Sequence, residues 1–429
     1  MKSISKYIWV VWIVLIIELL TISFFRNPTS DCDTNAYVVV SIHFIVTIIT
    51  LIISDSKYSS IFVWALILRT LFMLWDLNAR HIFTFPGSGM DSEYFYRIAV
   101  SVSEDLTQLK EPIRSGFYPK ILGVLFYFTG PARILGHYVN VLFGLMVVIF
   151  VYKTLVLLNI EHNITKTILL ITSFFPNSLI VSAILLREIL PTFFVVVSLY
   201  YFAKWYKEEK LWAFIISLFS LALGAMFHSG VIGLALGYLI MLLFYKHSSK
   251  KFVFSFQNFL LFIPVLIFVF LFSTSFGDVM FDKFRTLEEP SDIFESTMLP
   301  LGESAYLQGF TVNNPLQFIL FAPIRAFYFL FSPLPFDWRG VKDIVTFFLD
   351  ALLYMFILYY FFKNKRYFSQ NKKLIIILFV SIVIVAIIFG IGVGNAGTAL
   401  RHRQKIVPVF LVMLGLMMQE KEKTNLLIR

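Results

Sequence analysis

Apolar runs recur from Lys6 to Met418, separated by short polar breaks. A helix needs about 20 apolar residues to cross a hydrocarbon core roughly 30 Å thick. The ranges 7–25, 37–54, 60–76, 136–157, 166–183, 189–204, 211–226, 229–246, 252–273, 341–362, 372–393 and 404–419 approach or meet that length, so about twelve spans are expected. Two further apolar segments do not fit as full crossings. The segment 118–130 is too short, and a crossing at 316–331 would invert the polarity of the strongly basic loop at Lys363. Both are expected to be re-entrant or interfacial helices, which shape cavities. The pattern predicts an all-α, polytopic transmembrane protein.

The polar breaks then set the orientation. Lysines cluster at Lys2/Lys6, Lys57, Lys153/Lys166, Lys204/Lys207/Lys210, Lys246/Lys250/Lys251, Lys363/Lys365/Arg366/Lys372/Lys373 and Lys421/Lys423. Taken as cytoplasmic under the positive-inside bias, they put both termini in the cytoplasm. They also account for the net charge of +10 without a nucleic-acid partner. The run from Ile8 to Phe25, broken only by Glu18, is too long for a secretory signal and reads as a retained span. With 59% hydrophobic and 14% charged residues, against about a quarter charged in soluble domains, a water-soluble enzyme is excluded. The single cysteine, Cys32, leaves no intramolecular disulfide and no cysteine-rich metal site.

The chain, 1–429, reads as a single membrane domain with two long outward stretches, 77–119 and 275–340, the latter ending in the re-entrant segment. The first carries Asp91, Glu93, Glu104, Asp105 and Glu111; the second carries Asp278, Asp282, Glu288, Glu289, Asp292, Glu295 and Glu303.

The informative residues are those a membrane excludes. Arg401-His402-Arg403-Gln404-Lys405 stands on the outer side, against the positive-inside bias, at the head of a short apolar run. Three cations there are costly unless they snorkel as an interfacial anchor or meet a phosphate or diphosphate. Gly390, Gly392, Gly394 and Gly397 just before them permit close backbone approach. Arg187 and Glu188 interrupt an apolar stretch, either as a hairpin tip or with Arg187 reaching the same outer cavity. Arg69 and Asp350 lie at membrane depth and are expected to form an ion pair with each other or with other polar groups. In Gly87-Ser88-Gly89-Met90-Asp91-Ser92-Glu93-Tyr94-Phe95-Tyr96, two carboxylates follow a glycine turn, as a helix cap, a general base or oxygen ligands for a divalent cation. Asp31 and Asp33 offer a weaker Asp-x-Asp pattern, and His228 is a proton relay or an interfacial histidine. Zinc-protease, Walker, serine-hydrolase and dinucleotide motifs are all missing.

Together these residues resemble the polytopic glycosyltransferases of the type C fold, which use polyprenyl-phosphate-linked sugars. Members carry an acidic residue in a long outer loop followed by Tyr and then Ala, matched by Asp91, Tyr94 or Tyr96, and Ala99. Gly116-Phe117-Tyr118-Pro119 through Gly130-Pro131, then Asn140 to Gly144, is similar to the segment after that loop. Phe175-Pro176-Asn177 leading to Leu186-Arg187-Glu188, and Gly394 to Thr398 with Arg401-His402-Arg403 and Pro408, extend the likeness. Three spans precede the acidic loop here, where the family pattern usually has one. Similar terminal patterns occur in bacterial capsule and exopolysaccharide proteins, including repeat-unit polymerases.

The resemblance implies inverting transfer of a sugar from a polyprenyl phosphate or diphosphate to a glycan acceptor, polysaccharide or lipid-linked, at the outer face of a bacterial plasma membrane. Asp91 is the expected general base, with Glu93 as its substitute. Arg401, Arg403 and Lys405, with Arg187, are the expected phosphate-binding residues. Tyr94, Tyr96, His228 and Trp338 are expected at the substrate, with Phe327, Tyr328, Phe329, Phe331 and Phe336 as candidate stacking partners or plain lipid-facing packing. No cofactor is required, although a divalent cation such as Mg or Mn is compatible. The expected partners are the lipid-linked donor, the acceptor and membrane lipids, with no nucleic acid. Polymerase or ligase action and lipid-linked sugar transport are the competing readings.

Overall fold

The computed structural model describes residues 2–25, 32–54, 57–111, 116–246, 251–253, 255, 256, 258, 304–307 and 315–428. Most of the expected span 252–273 and the acidic residues between 278 and 303 lie outside them, as does Asp31. Every other expected span is mainly helical. A hydrocarbon layer offers backbone groups no water, and a helix satisfies them within one segment.

Among the described residues six helices are long and apolar enough to cross a membrane: Asp33–Ser54, Ser59–Asn78, Arg133–Leu157, Ile189–Glu208, Val341–Tyr367 and Lys372–Gly392. A seventh results if His162–Phe174 and Pro176–Ala183, bent by 50°, form one broken span. The bend has a local cause. Pro176 has no N–H to continue the helical ladder, so the predicted run 166–183 breaks just before it. Shorter apolar helices stand at Trp9–Phe24, Leu211–Phe227, Ser229–Phe244 and Leu320–Phe331.

Where a single domain is expected, the chain groups into two compact units: Met1–Val156 with Leu169–Phe193, and Leu157–Ile168 with Phe194–Arg429.

The first unit contains α1 (Lys2–Phe25), α2 (Cys32–Ser54), α3 (Ser59–Asn78), α4 (Asp91–Glu104), α5 (Phe117–Thr129) and α6 (Arg133–Leu157), then the end of α7 (His162–Phe174), α8 (Pro176–Ala183) and the start of α9 (Ile189–Glu208). The stretch 77–119, expected as a loop, is partly helical. In α4 the residues Ser92, Phe95, Ala99 and Val102 are buried, a helical stripe that turns one face inward. That face meets α5 closely, because a Cβ on Gly123 would lie 2.6 Å from Val102 Cβ and 3.0 Å from Ala99 O. The short segment 118–130 is the helix α5, as its length allows.

The second unit contains the remainder of α9, α10 (Leu211–Phe227), α11 (Gly233–Phe244), a two-stranded antiparallel ribbon of Tyr245–Lys246 with Lys251–Phe252, α12 (Pro315–Phe331), α13 (Val341–Tyr367), α14 (Lys372–Gly392), α15 (Ala396–Arg403) and α16 (Val407–Ile428). A π-turn at Phe347–Ala351 widens α13. Helices α12 and α14 touch backbone to backbone, since a Cβ on Gly390 would come within 2.7 Å of Ala326 N. At that contact Arg325 of α12 donates to the carbonyls of Gly390 (2.9 Å), Ile391 (3.1 Å) and Val393 (3.1 Å). These are acceptors that the end of α14 leaves without helical partners. At the other end of α14 the buried Glu420 carboxylate accepts from the backbone N–H groups of Ser369, Gln370 and Asn371.

Candidate active site

In the first unit, charge collects where α3 ends and α4 and α6 begin. Asp76, 1% exposed in the last turn of α3, receives Arg80 from one turn further on at 2.9 Å and the Ser88 hydroxyl at 2.5 Å. His137 Nε2 of α6 lies 3.2 Å from the same carboxylate. Arg80 also pairs with Glu93, and Arg133 forks onto Glu93 with bonds of 2.8 and 2.6 Å. Such a bidentate bond fixes geometry as well as charge. The Arg133 bonds first, then those of Arg80, hold the Glu93 carboxyl at about 2, against burial, which pulls the other way.

That environment gives Glu93 a holding role. A carboxylate held anionic between two guanidiniums is a weak base at neutral pH and a strong anchor. What it anchors is the first turn of α4, where Asp91 also sits and where both carboxylates favour the helix dipole. The turn before it needs glycine: Gly87 and Gly89 take φ of 87° and 80°. Asp91 is half-buried at the helix start, one turn before Phe95 on the same stripe. The Arg187 guanidinium lies 6.0 Å over the Phe95 ring, and its Nη1 would be 3.7 Å from a Cβ on Gly116. Arg187 and Glu188 occupy the turn between α8 and α9, the position expected of a hairpin tip. Nearby, the Asn140 amide nitrogen lies 2.9 Å from Tyr118 Oη and from the carbonyls of Ile184 and Leu186. That bond set ties the turn to α5 and α6.

Of the expected substrate tyrosines, Tyr94 projects outward at 41% exposure. Tyr96 instead braces the fold: its hydroxyl donates to Pro131 O at 2.8 Å and Arg133 lies 5.0 Å over its ring.

In the second unit the cluster 401–405 comes apart. Residues two apart on a helix point to nearly opposite sides. Arg401 stays half-buried, while Arg403 is fully buried, pairs with Asp350 and donates to the carbonyls of Phe329 (3.3 Å), Leu330 (3.2 Å) and Ser332 (2.7 Å). Arg403 therefore caps the end of α12. Of the two alternatives for Arg69 and Asp350, the second holds, each meeting other polar groups: Asp350 meets Arg403, and Arg69 donates to the carbonyls of Ala65 (3.0 Å) and Ser173 (3.2 Å). Lys405, equally buried, places Nζ 3.0 Å from His402 Nδ1, and His402 Nε2 lies 3.0 Å from His228 Nε2. The Phe389 ring packs against all three. Lys405 is thus engaged with His402 inside the fold. Trp338 donates Nε1 to Pro333 O at 3.2 Å and packs on Phe347 and Phe348, a structural setting. Phe329 is buried on Phe389, whereas Phe327 and Phe336 are exposed.

Asp91, Glu93, Tyr94, Tyr96 and Arg187 thus belong to the first unit, and His228, Trp338, Arg401, Arg403 and Lys405 to the second. Sequence reasoning missed Asp76, Arg80, Arg133 and His137. Their signal is present as two i,i+4 pairs, Asp76 with Arg80 and Arg133 with His137, at the polar ends of apolar runs. Among the described residues no three His, Cys, Asp or Glu side chains gather to hold a metal ion.

Residues 129–280 match the sequence model of a family described as Dolichyl-phosphate-mannose-protein mannosyltransferase. No curated protein and no solved structure matches the chain. That family is one of the type C-fold glycosyltransferases, so the matched stretch and the all-helical polytopic build both agree with the resemblance carried by the sequence.

Proposed function

We propose that the protein is a membrane glycosyltransferase that moves a sugar from a polyprenyl-phosphate-linked donor to a polysaccharide or lipid-linked glycan acceptor at the outer face of the plasma membrane. The observation that carries this reading is the anchored first turn of α4. Glu93, held by Arg80 and Arg133, sets the position of Asp91, and Arg187 is drawn to the same stripe through Phe95. The family match over residues 129–280 supports the donor class.

In this mechanism Asp91 takes the proton of the acceptor hydroxyl as the new C1–O bond forms and the bond from C1 to the phosphate oxygen breaks, with inversion at C1. Arg187 offsets the charge that grows on the departing phosphate. Glu93 is a positioning residue.

The test incubates purified protein in detergent with a radiolabelled lipid-linked sugar pool from its own host and follows label leaving the lipid. Release by the wild type, at least 100-fold slower in Asp91→Asn at unchanged accumulation, is the expected result. Full activity of Asp91→Asn removes it as the base. Donor that stays intact and only crosses the bilayer of reconstituted vesicles overturns transfer in favour of transport.

A further inference from the structure

Asp91 has a fixed point on each side of it in the chain. Glu93, two residues on, is held by Arg80 and Arg133. Ser88, three residues back, donates its hydroxyl to Asp76 Oδ1 at 2.5 Å. Ser88 is 5% exposed and Asp76 1%, so water does not compete for that bond. A hydroxyl bonded to a carboxylate is short and roughly twice as strong as a bond between neutral groups.

The loop behind Ser88 is laid back along α3. Trp75 Nε1 donates to Phe83 O at 3.1 Å, and Phe85 stacks on Phe72 with ring centroids 5.1 Å apart and planes 4° from parallel. Ser88 N then donates to Phe85 O at 3.0 Å. The Asp76 bond ends this series of ties to α3, just where the chain turns. Gly89 and Met90 alone separate Ser88 from Asp91. Gly89 N donates to Ser92 Oγ at 3.0 Å, and the N–H groups of Glu93 and Tyr94 donate to Met90 O at 3.1 Å, so turn and helix start form one bonded piece.

The charge of Asp76 is met on its other oxygen. Oδ2 takes Arg80 at 2.9 Å, with His137 Nε2 at 3.2 Å. The Ser88 hydroxyl adds no charge; what it adds is location, because it joins the glycine turn to a carboxylate that belongs to α3 and touches α6. Gly87 and Gly89, at φ of 87° and 80°, leave the turn easy to move without such a tie, since glycine has access to many backbone states. A general base must stand about 3 Å from the proton it takes, and small displacements of a reacting group are costly in rate.

We propose that Asp76 is a positioning residue for Asp91 and acts through Ser88. The tie to the turn follows from the bonds themselves; its service to a catalytic base rests on the glycosyltransferase reading.

The experiment has two readouts on the full-length protein in detergent. Cys32 is the single cysteine, so Met90→Cys in a Cys32→Ser chain takes one nitroxide spin label, at a side chain 79% exposed and next to Asp91. Its electron paramagnetic resonance spectrum is recorded with Ser88, with Ser88→Ala and with Ser88→Thr. Release of sugar from the lipid-linked donor is followed in the same Ser88 variants without the spin label, per mole of folded protein. Ser88→Ala is expected to narrow the central line, as a looser turn requires, and to lower kcat about tenfold at unchanged donor KM, the loss of about one hydrogen bond. Ser88→Thr, which keeps the hydroxyl, is expected to return both readouts to within about twofold of the wild type. A spectrum unchanged in Ser88→Ala overturns the proposal. So does a Ser88→Ala protein that accumulates or melts poorly but keeps its kcat per folded molecule, because the bond is then merely structural. A threonine variant as mobile and as slow as the alanine one removes the hydroxyl from the account. A turn loosened by Ser88→Ala, in a protein whose wild type releases no sugar from lipid, sinks the transferase reading and the service to a base while upholding the tie between Asp76 and the turn.

Discussion

Both units bury arginine and acid at the ends of apolar helices, but they use the pairs differently. In the first unit Glu93 keeps 32% of its side chain exposed and shares two arginines, at 24% and 21% exposure. In the second, Arg403 and Asp350 are sealed at 0% and 3%. A half-exposed network is screened by water, adds little to stability and can still orient a helix. A sealed pair is costly to assemble and more costly to break, because removing one partner strands the other charge. The comparison separates a device that positions α4 from one that holds α12, α13 and α15 together.

The largest expected effect breaks the sealed pair. Arg403→Ala should destabilise the protein by about 3–5 kcal/mol, read by thermal unfolding in detergent, because it strands Asp350 and uncaps α12. The double substitution Arg403→Met with Asp350→Leu should recover most of that loss, and a double variant as unstable as the single one would show that the carbonyl bonds, not the ion pair, dominate.

A smaller effect tests a buried arginine with no acid paired to it among the described residues. Arg69 of the first unit fits only because Gly144 leaves room: a Cβ there would stand 2.8 Å from Arg69 Nε and 2.5 Å from Ser182 Cβ. Gly144→Ala should cost about 1–3 kcal/mol by overpacking. An unchanged melting temperature would mean that Arg69 is held more loosely than Arg403.

The smallest effect belongs to the exposed network. Glu93→Gln should cost no more than about 1 kcal/mol at neutral pH. The carboxyl is depressed from 4.5 to about 2 on folding, so its contribution is complete above pH 4.5 and fades as pH falls through 2. Wild type and Glu93→Gln should therefore converge in melting temperature as pH drops from 4.5 toward 2. A constant difference across that window would assign the network's effect to packing rather than charge. Activity should fall more than stability in this variant, since Asp91 loses its anchor.

The helices themselves were readable from the chain. The runs at 60–76, 136–157 and 372–393 are apolar for long enough to leave one structure open to them in lipid, and Pro176 marks the break in 166–183. The outer stretch 77–119 was less legible. Its helix α4 is short, mostly polar and stabilised by packing Phe95, Ala99 and Val102 against α5, a partner that local pattern does not name. Asp91 and Glu93 stand out in the sequence, but that Glu93 is the one held by Arg80 and Arg133 depends on chain segments that local pattern does not join. The partners of the cluster 401–405 were hidden for a related reason. Adjacency in sequence suggested one anion site, and the helical period sent Arg403 inward to Asp350 and Lys405 to His402.

By itself the sequence determined that the chain is helical and membrane-spanning, and which polar residues had to be accounted for, because transfer to lipid depends on composition summed over one segment. Which charge meets which was decided by tertiary structure alone. An ion pair depends on a few ångströms between residues far apart in the chain, such as the 53 positions from Asp350 to Arg403, and no local pattern encodes that separation.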